Sequence, residues 1–529
     1  MAAAALSNVT ESPPSLVRGA SVREMFLMAS GSLAMLIAEV LMSHPRILFG
    51  RYLWIDELWT KLIAAEPSVW QSLSALKHSG DPTPPVYHLL ARASWGLIGG
   101  NGETALRGLS FVSMWLALVL LYALLRRTFT VLPALIAVLA FWSSFPIIEY
   151  AFFGRPYAAL LAATVGFCLI YGTDKKGLAA HALTAGLAIL ICTLHYFGVF
   201  ALAAVVLGDT IARRGPLAAM FRRWLPAAAG PIALVFCWPF VHAWNTGQTV
   251  FSYLPRQTLD NAVRDVLLSW GGAFEATVIL LLACSLSAVV GLAIHLVARR
   301  DQDRTKNNRT QEIGPLQPVA GLLGLIMVPV LVAVFSALAF PSMTTRYMIP
   351  GLLGVTAVLA VISSRTSTRI LVATAMLLVL LGAFNLRHFS AGRLKWQINE
   401  AQMMKIGQND QLAIVTFNPH EAYLLYEYAP SLRPRIFIVD LRATHGTELS
   451  RAVLLDYDLE KKWSGVYPDL PKLVDLEQLR RMGKFHLVES EPHVLVAQDN
   501  KPELSLPIQK VAQILSLQSV GDLYEVRPN

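Results

Sequence analysis

The sequence predicts a polytopic α-helical membrane protein with a small C-terminal α/β domain, on three observations. Hydrophobic residues make up 55% of the 529-residue chain against 15% charged, and the mean hydropathy is +0.50, which argues against an all-soluble chain. Apolar runs long enough to cross about 30 Å of hydrocarbon at about 1.5 Å per residue recur along the first three quarters of the chain. The basic residues fall in short clusters between those runs. The net charge of +9 therefore reads as membrane topology and not as nucleic-acid binding.

Taken in order, residues 1–23 are a polar tail read as cytoplasmic, and the run at 24–43 is too long for a signal-peptide core, so it is read as a retained first span. The connection at about 44–104 is too long for a turn. Within it, "DELWTKLIAAEPSVWQSLSAL" carries apolar residues at helical spacing beside Trp59 and Trp70, which predicts amphipathic helices lying at the membrane interface. Further runs follow at 105–125, 130–148, 156–172, 178–196, 198–212, 225–244, 274–298, 318–340, 347–364 and 369–386, giving about eleven spans.

With a cytoplasmic N-terminus, every dense basic cluster falls on one side: Arg126 and Arg127, Lys175 and Lys176, Arg213 to Arg223, the stretch from Ala298 to Arg309, and Arg365 with Arg369. An odd number of spans then makes 390–529 extracytoplasmic. This tail alternates short β-branched runs ("LAIVTF", "RIFIVDL", "FHLVES", "HVLVAQ") with helical stretches ("HEAYLLYEYA", "DLEQLRRM"), the pattern of a small α/β domain. The domain reading is thus a tail at 1–23, a transmembrane domain at 24–389 and the α/β domain at 390–529. Cys168, Cys192, Cys237 and Cys284 all lie inside apolar runs with no CxxC pair, and read as small packing residues.

Several polar residues do not fit a plain bundle. Asp56 and Glu57 sit among tryptophans and leucines just after the first span. "SGDPTPPVYHLLAR" adds Asp81 and His88 on a turn fixed by proline. Under the same topology, "GRPYA" brings Arg155 and Tyr157 to this face, "TLHYFG" brings His195, and "TTRYMIP" brings Arg346 and Tyr347. Singly, each arginine reads as a snorkelling anchor and His195 as a packed interface histidine. Together they converge at one membrane depth, and charged groups there are kept where they face a cavity or one another. Arginine forks suit phosphate oxygens, and a carboxylate can take a proton from an attacking hydroxyl.

In this order the residues resemble the C-type membrane glycosyltransferases, specifically the protein O-mannosyltransferase and aminoarabinose transferase branch. The likeness covers about 24–390 and rests on "DE" (Asp56, Glu57), a D-x-x-PP-x-Y-H element (Asp81, Pro84, Pro85, Tyr87, His88), R-x-YA-x-L (Arg155, Tyr157, Ala158, Leu160) and RY-x-x-P (Arg346, Tyr347, Pro350). The chain carries Thr83 where the family pattern has His.

The resemblance implies transfer of a sugar from a polyprenyl-phosphate-linked donor to an envelope lipid, glycan or protein, on the extracytoplasmic face of a bacterial inner membrane. Asp56 and Glu57 are then the catalytic candidates, and Asp81, His88, Arg155, Tyr157, His195, Arg346 and Tyr347 the substrate-binding ones. No cofactor is certain from the sequence; some relatives of this kind bind a divalent metal, so the resemblance makes one possible, unassigned because no ligand spacing demands it. The alternative reading is a transporter or flippase of a lipid-linked sugar, which would favour internal repeats and broken helices at mid-membrane.

Overall fold

The computed structural model describes residues 20–42, 53–78, 81, 83–99, 102–173, 177–213, 216–245, 316–338, 345–403, 412–416, 419–439, 467, 469–482, 485–488, 517–520 and 523–526. The N-terminal tail to residue 19, the expected span at 274–298, Cys284 and the expected strand in "HVLVAQ" lie outside these residues.

The first helix, α1 (Val22–Met42), starts on a reciprocal cap: the Ser21 amide donates to Glu24 Oε2 at 3.1 Å and the Glu24 amide to Ser21 Oγ at 3.2 Å. Three helices occupy the long connection that follows, α2 (Ile55–Ala65), α3 (Val69–His78) and α4 (Pro85–Ile98). Pro84 is extended and Pro85 opens α4, where a missing amide costs nothing. Gly99 closes that helix at φ 69°, its amide donating to the Trp95 carbonyl.

The bundle continues with α5 (Gly102–Leu125), α6 (Val131–Ser143), α7 (Phe145–Ala151), α8 (Tyr157–Tyr171), α9 (Leu178–Leu194), α10 (Gly198–Arg213) and α11 (Leu217–Asn245). The single span expected at 130–148 is in fact a pair bent by 71°. Pro146 is the cause: it has no amide for the Trp142 carbonyl four residues back, and its ring excludes the continuing turn. Ser144 accordingly turns extended, at ψ 136°.

The run at 318–340 is likewise interrupted, with 3-10 turns at Gln317–Val319 and Leu325–Met327 around α12 (Ala320–Gly324), before α13 (Val328–Leu338). Here α10 and α12 cross at backbone contact. A Cβ added to Gly324 would lie 2.2 Å from the Ala204 carbonyl oxygen, so only glycine allows this approach. The bundle is completed by α14 (Pro350–Ser363) and α15 (Thr368–Met403).

Among the described residues, four segments are long and apolar enough to cross a membrane: Val22–Leu41, Gly102–Leu125, Gln317–Leu338 and Thr368–Phe389. The bent pair makes a fifth, and α8, α9 and α14 are shorter apolar helices. The expected total of about eleven includes 274–298, outside the described residues. Large apolar side chains such as Phe26, Leu41, Val112 and Leu380 are exposed on the helix flanks, as befits the lipid-facing surface of a multi-pass helical membrane protein.

The last helix, α15, does not stop where its apolar run ends. Its 36 residues reach roughly 54 Å, and they pass straight through the expected domain boundary at 389/390.

Beyond it lie β1 (Ala413–Thr416), α16 (Pro419–Tyr428), β2 (Ile436–Val439), β3 (Lys472–Val474), α17 (Leu476–Met482), β4 (Phe485–Val488), β5 (Leu517–Val520) and β6 (Leu523–Val526). They form one six-stranded sheet in the order β3-β2-β1-β4-β6-β5. Its first four strands are parallel and β6 pairs antiparallel with both β4 and β5. The register sets Ile414 beside Ile436 and Val415 beside Leu487.

One expectation is corrected here. The apolar face of α2 and the C-terminal part of α3 are not free to lie on a membrane surface, because Leu58, Trp59, Ile63 and Leu76 pack into one cluster with Ile414, Tyr423, Leu425 and Ile438 of the C-terminal domain, whereas Val69 and Trp70 at the start of α3 stay exposed. Amphipathic spacing reports that a face is buried, not what buries it. Polar contacts fix the same junction. The Leu53 amide donates to the Tyr428 hydroxyl at 2.9 Å, and Lys61 Nζ reaches Glu427 at 2.6 Å and Glu103 at 3.3 Å.

Candidate active site

The site forms where the N-terminus of α2 meets the turns before α4, α8 and α14. Glu57, three residues after the extended Trp54, accepts the Trp54 amide at 3.0 Å and so caps α2 from within. Its other carboxylate oxygen accepts the Gly154 amide at 2.7 Å, and Arg107 Nε lies 3.6 Å away. Glu57 and Arg107 are both fully buried. Glu57, expected beside Asp56 as a catalytic acid, is therefore turned inward. It ties α2 to α5 and to the turn that presents Arg155.

Asp56 faces the other way. Its Oδ2 accepts from Arg346 Nη1 at 2.7 Å, across 290 residues of sequence. The pair is only partly covered, with the Asp56 side chain 15% and the Arg346 side chain 30% exposed. Arg346 Nε is buried and has no hydrogen-bond partner among the described residues.

Arg155 is engaged quite differently. Its Nη1 donates to Asp81 Oδ2 at 3.0 Å, to Thr60 Oγ1 at 2.9 Å and to the Asp56 carbonyl at 2.9 Å, while Nη2 donates to Thr83 Oγ1 at 2.6 Å. Asp81 in turn accepts the Thr83 amide at 2.8 Å, a side-chain turn that holds the segment before α4. Burial alone would raise the Asp81 carboxyl, but the Arg155 guanidinium and its hydrogen bonds hold it down at about 2. Expected as a phosphate ligand, Arg155 spends its fork on the protein and fixes the backbone that carries Asp56.

His88 is fully buried, and its Nε2 lies 3.6 Å from Asp81 Oδ2, beyond hydrogen-bond range. Burial lowers its pKa to about 4, with Arg155 adding to the effect against the pull of Asp81, so the ring is neutral at pH 7. His88 sits beneath the site and not at its mouth.

The remaining expected residues form an aromatic wall. Tyr157 packs on Tyr150 at 4.7 Å between ring centres and on His195 at 5.5 Å. His195 reaches Tyr347 at 5.1 Å, and Tyr347 stacks on Phe197 at 4.1 Å with the rings 17° apart. The Arg346 guanidinium lies 5.6 Å from the Tyr347 ring centre. His195 Nδ1 accepts the Phe197 amide at 3.2 Å. Among the described residues no group of three or more His, Cys, Asp or Glu could hold a metal ion.

Sequence reasoning missed Thr60, Thr83, Arg107 and the Lys61 junction. Thr60 lies four residues after Asp56, on the same face of α2. Arg107 is a charge inside an otherwise apolar run, itself a signal of a buried partner.

No family model and no curated protein sequence matches this chain. Solved structures do. The chain is similar to ArnT from Cupriavidus metallidurans in the apo state, with a TM-score of 0.54 at 14% identity, covering 94% of this chain and 97% of that one. It is equally similar to ArnT from the same organism bound to undecaprenyl phosphate, with a TM-score of 0.56 at 13% identity, covering 94% and 98%. The fold is thus that of the two ArnT structures.

Proposed function

We propose that this chain is a glycosyltransferase that moves a sugar from a polyprenyl-phosphate donor to an envelope lipid, glycan or protein, at the outer face of a bacterial inner membrane. The observation that carries the reading is the partly open Asp56–Arg346 pair, set beside two acid–base contacts, Asp81–Arg155 and Glu57–Arg107, whose carboxylates are sealed. The fold agrees with it, and a neighbour of that fold has been crystallised with undecaprenyl phosphate. In domain terms, 24–389 carries the reaction and 390–529 covers the acceptor side.

In this mechanism Asp56 accepts the proton of the acceptor hydroxyl as the acceptor oxygen bonds to the anomeric carbon from the face opposite the phosphate. The bond from that carbon to the phosphate oxygen breaks, and the lipid phosphate departs with the electron pair. Arg346 lies beside Asp56 and has an unpaired buried Nε. It binds the phosphate and stabilises the charge that grows there. Tyr157, His195 and Tyr347 wall the donor pocket. Arg155, Asp81 and Glu57 hold the backbone of α2 so that Asp56 meets the acceptor.

The test is mass spectrometry of envelope glycans and lipids from cells with and without the chain, and with Asp56→Asn at equal membrane abundance. One sugar mass should disappear in both deficient strains. An unchanged profile when the chain is absent would sink the function, and a wild-type profile with Asp56→Asn would sink Asp56 as its base.

A further inference from the structure

A cavity with a mixed apolar and basic lining lies at the other end of α8. Its volume is about 710 Å³ and its walls include Ile170, Tyr171, His181, Arg222, Arg223 and Pro226. Tyr171 ends the helix that Tyr157 begins, so the cavity stands roughly 20 Å from the candidate active site at about 1.5 Å per residue. It gathers the end of α8 and the starts of α9 and α11, the last of which carries Arg222 and Arg223.

Arginines gather here around one buried acid. Asp209, 2% exposed, serves two guanidiniums, accepting from Arg213 Nε at 2.7 Å and from Arg223 Nε at 3.2 Å. The same arginines also close helix ends: Arg213 donates to the Gly172 carbonyl at 2.7 Å and Arg223 to the Tyr171 carbonyl at 2.9 Å. Arg222, exposed at the cavity rim, has no acid partner among the described residues. Arg213 and Arg223 thus share the Asp209 carboxylate, and Arg222 adds a further guanidinium beside them. The Tyr171 hydroxyl is buried and without a hydrogen-bond partner among the described residues, although the residue lines the cavity. His181 gives Nδ1 to the Gly177 carbonyl at 3.1 Å, which leaves Nε2 available.

We propose that this cavity binds a phosphate group, in the first instance the headgroup phosphate of an anionic membrane lipid, at the membrane face opposite the transfer site. Arg222 supplies the unpaired fork, Tyr171 a hydroxyl, and Ile170 and Pro226 an apolar wall for the acyl chains. A planar guanidinium matches phosphate oxygens two at a time, and a basic residue near an anionic leaflet gains about 1 kcal/mol, about fivefold in affinity.

The experiment uses the purified full chain in nanodiscs made from equal parts phosphatidylglycerol and phosphatidylcholine, with co-released lipid counted by native mass spectrometry. Wild type should retain phosphatidylglycerol about fivefold over phosphatidylcholine. Arg222→Gln should bring the ratio near parity, while Arg369→Gln, another exposed arginine, should leave it unchanged. In a parallel arm in zwitterionic nanodiscs, inorganic phosphate is added and the melting temperature followed. A rise in wild type that Arg222→Gln removes keeps the site and assigns it to a soluble phosphate. No lipid preference and no phosphate response in wild type, or equal losses in Arg222→Gln and Arg369→Gln, overturns the proposal. Neither readout involves sugar transfer, so failure here leaves the proposed function standing.

Discussion

Two acid–arginine pairs lie side by side in this molecule and do different work. Asp81 and Arg155 are sealed, with side chains 0% and 6% exposed, and both Nη groups of Arg155 are taken up by Asp81, Thr60, Thr83 and backbone, while its Nε is buried without a hydrogen-bond partner among the described residues. Asp56 and Arg346 are 15% and 30% exposed and are joined by one short contact. The first pair is a rivet, since a buried charge that loses its partner costs several kcal/mol. The second is the site in the proposed function, since a half-open pair contributes little to folding and can exchange its partner for a ligand. Residue type does not separate the two roles. Burial and the number of protein partners on the guanidinium nitrogens do.

Breaking the rivet should have the largest effect. Arg155→Met leaves Asp81 buried and unpaired, and should cost about 3–5 kcal/mol in chemical or thermal unfolding, with loss of activity as a consequence. A variant that unfolds like wild type would remove the distinction between the pairs. Next in size, Arg346→Gln should weaken undecaprenyl-phosphate binding by about 10- to 100-fold, the worth of a charge-assisted hydrogen bond, while costing about 1 kcal/mol or less in stability. Intact lipid-phosphate binding would reassign Arg346 to structure.

Acid should probe the sealed side. His88 has its pKa lowered to about 4 from an ordinary 6.5, so the folded state holds it neutral while the unfolded chain binds a proton. That contribution is complete above pH 6.5 and is lost as pH falls from there to about 4. Asp81, held at about 2, extends the loss from the ordinary carboxylate range down towards pH 2. Between pH 6.5 and 4 the wild type should lose about 2 kcal/mol to His88, and His88→Asn should flatten that slope. An equal slope in both proteins would mean that His88 is not sealed.

The smallest effect concerns the junction. Tyr428→Phe removes the acceptor of the Leu53 amide, and should cost about 1 kcal/mol with a modest fall in turnover, because Leu53 leads into the helix that carries Asp56. Turnover that falls as far as in Arg346→Gln would move the C-terminal domain into the site itself.

Much of this was legible in the sequence. Apolar runs located the helices, the "DE", "PPVYH", "GRPYA" and "TTRYMIP" stretches did come together, and four-residue β-branched runs marked β1, β2 and β4. What was not legible depends on contacts far apart in the chain. Asp56 meets Arg346 across 290 residues and Asp81 meets Arg155 across 74, and nothing local says which arginine takes which acid. Hydropathy also could not follow α15 past residue 389, since polarity ends a span without ending a helix. β3, with three residues, is too short to show alternation. The break at Pro146 is the exception, because proline after Ser144 is a local signal.

The comparison turns on one paired measurement: Asp56→Asn and Asp81→Asn, each purified and assayed for melting temperature and for transfer of sugar from a polyprenyl-phosphate donor. If one pair is site and the other rivet, Asp56→Asn melts within about 2 °C of wild type, less than about 1 kcal/mol, and transfers about 100-fold or more slowly. Asp81→Asn should lose thermal stability first. Full transfer by Asp56→Asn would contradict the account directly.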